Sequence, residues 1–118
     1  MNQIIIIDEL PPGLNGSDGL KNMHYHKYSK EKKKWVWLIR SQNPQKHKGQ
    51  VRVRFTRVST RMMDFDNIGA SFKFVGDALE KNKVIVNDSP EYLIELSLHW
   101  EKAESRKDQH IKIEITDA

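Results

Sequence analysis

The apolar residues change period along the chain, and that change constrains the fold more than any other feature. Val51, Val53 and Phe55 alternate with Arg52 and Arg54, the two-residue repeat of a half-buried strand. The alternation breaks at Arg57-Val58, which is read as a bulge. After Asp64-Phe65-Asp66-Asn67 the period becomes helical. Ile68, Phe72, Val75 and Leu79 then form one stripe on a helix over 68–81, with Asn67 as its N-cap. Period two returns in Ile94, Leu96, Leu98 and Trp100, and again in Ile111, Ile113 and Ile115. A polar link joins these two runs, which predicts a C-terminal β-hairpin.

Upstream, residues 4–7 are four isoleucines and read as a buried strand. Pro11-Pro12-Gly13-Leu14-Asn15-Gly16-Ser17-Asp18-Gly19 is turn chemistry throughout. Residues 28–40 suit a helix with Ser29 as N-cap, ended by Asn43-Pro44. Val84-Ile85-Val86 is a short apolar run. The order strand, helix, strand, helix, strand, strand spells an α+β fold: a small mixed or antiparallel sheet with two main helices.

The length of 118 residues predicts a single domain over 1–118, and 37% apolar content supplies one modest core. No cysteine is present, which excludes disulfides, thiolate zinc sites and cysteine nucleophiles. No apolar run approaches the ~20 residues of a membrane span. The first seven residues lack a basic leader and read as strand, so a cytoplasmic protein with no membrane partner is expected.

The formal net charge of +4 hides a strong polarity. Residues 21–61 carry 13 Lys and Arg against the single acid Glu31, whereas residues 62–118 carry 7 basic and 12 acidic groups. Such segregation predicts a basic face for a polyanion, most simply a nucleic-acid backbone. The candidates for backbone contact are Lys30, Lys32, Lys33, Lys34, Lys46, Lys48, Arg52, Arg54 and Arg61. His24 and His26 lack the further ligands zinc needs and read as loop residues. Trp35, Trp37 and Trp100 read as core or dimer contacts.

Asp64 and Asp66 stand two apart, and in an extended stretch they project to one side. Paired carboxylates of this kind suit a hard divalent cation, while the bland alternative is a favourable helix N-terminus. The helix over 68–81 runs roughly 21 Å away. Residues 82–88, if extended, return roughly 23 Å and bring Asp88 back beside the pair. The alternative for Asp88 is a turn residue before Pro90. Lys73 lies ~140° from the apolar stripe and leans toward the helix N-terminus, over the carboxylates. Its alternative is an ion pair with Asp77.

The ordered set Asp64-Phe65-Asp66-Asn67, Lys73, Asp77-Ala78-Leu79 and Val84-Ile85-Val86-Asn87-Asp88 resembles the RusA family of Holliday junction resolvases. Pro11-Pro12-Gly13-Leu14-Asn15 is similar to that family's Pro-Pro-x-x-Asn loop. The resemblance implies a homodimeric, Mg²⁺-dependent endodeoxyribonuclease (Mn²⁺ being the other candidate ion) that nicks four-way DNA junctions in pairs. By position it implies that Asp64, Asp66 and Asp88 hold metal and that Lys73 is the catalytic lysine. The sequence departs from the family in three places. About three extra residues separate Asn67 from Lys73, Asn87 stands where many relatives have Asp, and Met63 stands where Arg is common. The competing reading is a non-enzymatic nucleic-acid-binding module whose acids are structural.

Overall fold

Every strongly alternating segment forms a strand, but neighbours in sequence are not always neighbours in the sheet. The computed structural model describes residues 2–15 and 19–118; residues 16–18 of the expected turn-rich loop lie outside them. The elements run β1 (Asn2–Ile7), α1 (Tyr25–Ser41), β2 (Val51–Ser59), α2 (Phe65–Lys81), β3 (Leu93–Lys102) and β4 (His110–Asp117). The four strands make one mixed sheet in the order β1-β4-β2-β3. β4 is antiparallel to both β1 and β2, whereas β3 is parallel to β2.

The expected C-terminal hairpin is therefore absent: β3 and β4 flank β2 on opposite sides. The physical reason is burial. Ile111, Ile113 and Ile115 are fully buried, and a central position lets them pack beside strands on both flanks. Ile113 lies opposite Ile5 on one side and Phe55 on the other. β3 carries Glu95, His99 and Glu101 and takes an outer position, where charge is tolerated. Its parallel pairing requires a crossover, and α2 provides it.

α2 buries the predicted stripe of Ile68, Phe72, Val75 and Leu79. It begins earlier than predicted because Asp64, not Asn67, is the N-cap. α1 also begins earlier, at Tyr25. His24 caps it through Nδ1, which accepts from the His26 amide at 3.3 Å, so Ser29 sits inside the helix. Nor is there a bulge at Arg57-Val58. The register against β4 is unbroken to Val58 opposite His110, and the irregularity falls at Val51/Arg52 against β3.

α2 ends with Lys83 at φ 59. The Val84 amide donates to Leu79 and the Lys83 amide to Glu80, both at 2.9 Å. These are the two bonds of a left-handed helix stop, with Lys at the position glycine usually takes. Val84 and Ile85 then turn into the core instead of forming a strand.

At the far end of β4, buried His47 faces Asp117 Oδ1 at 2.7 Å and Gln3 Nε2 at 2.9 Å. The hydrogen bond from His47 holds the Asp117 carboxyl below the usual range. A depressed acid contributes stability above its unfolded value, near pH 4, and loses it as pH falls through the lower folded value. Asp117→Asn is thus expected to flatten the acid limb of stability below about pH 4. Urea denaturation of both proteins between pH 2.5 and 6 reads this directly.

Candidate functional site

The N-terminal turn of α2 and the loop of residues 11–15 meet at one end of the sheet, and Asn67 joins them. Asp64 Oδ1 accepts from the Asn67 amide and from Asn67 Nδ2, each at 3.0 Å. Asn67 Oδ1 in turn accepts from the Leu14 amide at 3.1 Å and the Asn15 amide at 3.2 Å. The loop closes on itself where Leu20 donates to Gly13 at 2.7 Å and Lys21 to Leu14 at 3.0 Å. Gly19 is required in that closure, since a Cβ there would stand 2.2 Å from the Asn15 carbonyl oxygen.

These parts border a cleft of about 850 Å³. Among the described residues its cations are Lys27, Arg57, Arg61 and Arg106, against the acids Glu31 and Asp64. Glu31 is engaged by Trp35 Nε1 at 3.0 Å and by Lys34. The wall after β2 is fixed by Trp100, whose Nε1 donates to Ser59 Oγ at 2.9 Å and to the Arg61 carbonyl at 3.1 Å.

Arg57 lies on the floor. It follows Val51, Val53 and Phe55 in the inward register, opposite Ile111, and is 8% exposed. One Nη1 hydrogen bond goes to the Pro11 carbonyl, while Nε has no partner. Burial lowers its pKa to about 10.

The acidic residues are arranged differently from the expectation. Asp64 and Asp66 share the first turn of α2, as cap and helical residue rather than along an extended strand. Asp88 does not join them within the chain. Its neighbours tie it to the opposite end of β2: Leu93 and Tyr92 donate to Ser89, and Val51 donates to Tyr92. Asp64 follows the Ser59 end of that nine-residue strand, which spans roughly 26 Å. Two things use up the reach assumed for residues 82–88: α2 is 17 residues long, and the chain folds back at its stop. Asn87 caps the turn through Ser89. Among the described residues no three His, Cys, Asp or Glu side chains form a metal-holding group.

Lys73 is exposed, with Nζ 5.9 Å from the Tyr28 ring centre. It does not take Asp77, which Lys32 reaches at 3.9 Å. Lys30 and Lys33 project from α1 into solvent, and Lys34 pairs with Glu9 at 3.4 Å. Arg52 and Arg54 lie on the sheet face away from the cleft, beside Glu95 and Glu114. Lys46 and Lys48 are exposed in the loop leading to β2. Of the predicted backbone contacts only Arg61 lines the cleft, and Lys27, Arg57 and Arg106 were missed. Arg57 had a visible signal: it is charged at an inward position of an alternating strand. Trp37 is 63% exposed, beside the α1 lysines rather than in the core.

Among the described residues no helix is long and apolar enough to cross a membrane. Comparison with protein-family models and with curated proteins finds no match to this chain.

Proposed function

We propose that the chain is a Mg²⁺-dependent, structure-specific endodeoxyribonuclease that resolves four-way DNA junctions as a homodimer. One observation carries this reading. The two motifs that resemble the RusA family, far apart in sequence, meet through Asn67 over a cleft lined by four cations. A cleft of that charge suits a phosphate backbone, and backbone contacts position DNA without reading its sequence.

One chain does not fit the three-aspartate ion site that the resemblance implies. Of Asp64, Asp66 and Asp88 it supplies only Asp64 and Asp66 at this end, and the nearby Glu31 is held by Trp35 and Lys34. In the proposed dimer the third carboxylate is the partner's Asp88. β3 is an outer strand with an open edge, and its Ile94 and Leu96 are 37% and 40% exposed. Such an edge favours a second strand. Two copies laid antiparallel about Ser97 set Leu96 opposite the partner's Leu98 and Ile94 opposite the partner's Trp100. Glu95 then faces the partner's His99. That register moves the Asp88 end of one β3 toward the Trp100 end of the other, which is tied to Arg61 and so to the turn bearing Asp64. A two-fold enzyme also matches the two symmetric cuts of a junction.

When bound there, Mg²⁺ or Mn²⁺ would supply Lewis-acid chemistry at phosphate and water. The chain's own part is to hold the backbone with Arg61 and its neighbouring cations. Lys73, two turns along α2 from Asp66, is proposed to lend its charge on leaving Tyr28.

The test is a synthetic four-way junction incubated with the protein. Paired symmetric nicks in Mg²⁺ are expected, lost in EDTA and lost in Asp66→Asn while junction binding persists. Binding by the wild-type chain with no cut in Mg²⁺ leaves the second reading, a nucleic-acid-binding module.

A further inference from the structure

We infer that Arg57 is the anion receptor at the floor of the cleft, and that its ligand is a phosphate group. The inference rests on the nuclease reading only for the source of that phosphate, a DNA strand. The site stands on this chain's own geometry.

A buried guanidinium ordinarily satisfies its donors or pairs with a carboxylate. Arg57 does neither. Among the described residues its one hydrogen bond is to the Pro11 carbonyl, its Nε is shielded from water and has no partner, and it forms no salt bridge. An arginine held this way carries an unmet need for an acceptor. The described acids that share the cleft do not meet it. Glu31 is taken by Trp35 and Lys34, and Asp64 Oδ1 by Asn67. A phosphate entering the cleft meets Arg57 together with Lys27, Arg61 and Arg106 on the walls. Guanidinium offers a planar fork that fits phosphate oxygens, and the bond is strong where water is excluded. The depressed Arg57 pKa follows from the same burial, which removes water from the charge, and a bound anion would oppose it.

The floor position also separates Arg57 from the surface lysines. A lysine on α1 gives only sequence-independent attraction that salt screens. A receptor beneath the Pro11 loop fixes where a strand lies relative to Asp64.

Two arms test this. In the first, the full chain is melted in inorganic phosphate and in sodium chloride of equal ionic strength. Phosphate is expected to raise Tm in the wild type and much less in Arg57→Gln, with Arg57→Lys between them. In the second, four-way junction binding is measured in EDTA across salt. Arg57→Gln is expected to weaken binding about 10-fold and to lower the salt slope by about 1. If Arg57→Gln does not fold, the Arg57 Nε–H resonance of the wild type is followed during phosphate titration, and a saturable shift is expected. Equal phosphate stabilisation in wild type and Arg57→Gln, or an unmoved resonance, overturns the inference. A phosphate response at Arg57 with no junction binding by the wild type upholds the receptor and removes the nuclease reading instead.

Discussion

Asp66→Asn and Asp88→Asn chains, each inactive alone, are expected to regain junction nicking when they are mixed and allowed to form mixed dimers. The reason is where α2 and the residues after it leave the carboxylates. Asp64 and Asp66 sit at the Ser59 end of β2 and Asp88 at the Val51 end. If each site joins Asp64 and Asp66 of one chain with Asp88 of the other, a mixed dimer holds one doubly damaged site and one intact site. Half the dimers in an equal mixture are mixed, so about a quarter of wild-type sites return. The product distinguishes the case further: one strand is nicked per junction rather than two. A mixture of Asp64→Asn with Asp66→Asn is the control. Those residues belong to the same half-site, and no activity should return. Silence from the Asp66/Asp88 mixture, with mixed dimers verified by mass, would falsify the shared site.

The split of the acidic set also marks how far the sequence could be read. Periodicity located β2, α2, β3 and β4, because each buries one face and burial writes a period into the residues. β1 was read as wholly buried from its isoleucine run and in fact leaves Ile4 and Ile6 exposed. Pairing was not legible from adjacency. The polar link between Trp100 and Ile111 looks like a hairpin loop, yet the three-isoleucine strand is drawn to the sheet centre. Its apolarity was the available clue. The reach argument for Asp88 failed for a different reason. Chain length sets only a maximum span, and residues 82–85 turn back and bury Val84 and Ile85 instead of extending. In the site, Asp64 and Arg61 were visible, and parity along β2 could have flagged Arg57. Nothing local placed Lys27 or Arg106 at the cleft, because tertiary packing alone brings α1 and the loop before β4 to it.

Asn67→Ala is expected to cost roughly 2–3 kcal/mol of stability. Asn67 was read as the helix cap, but its role is wider. Its Nδ2 and amide both donate to Asp64 Oδ1, and its Oδ1 receives the Leu14 and Asn15 amides. Alanine keeps the amide-to-Asp64 bond and deletes the other three. Each deleted bond is worth about 1 kcal/mol, less where water replaces the partner at the exposed loop. Asn67→Asp separates the two halves of the role. Its carboxylate still accepts from the loop, so Leu14 and Asn15 stay protected from hydrogen exchange. It cannot donate to Asp64, and the two acids then repel across the turn. Stability should therefore fall at neutral pH and partly recover as one acid protonates. Urea denaturation gives the totals, and amide exchange at Leu14 and Asn15 tells loop from cap. Fast exchange in Asn67→Ala with slow exchange in Asn67→Asp is the expected pair. Slow exchange in both would show that the loop is held by its own closure through Gly13 and Leu20, leaving Asn67 as a local partner of Asp64 alone.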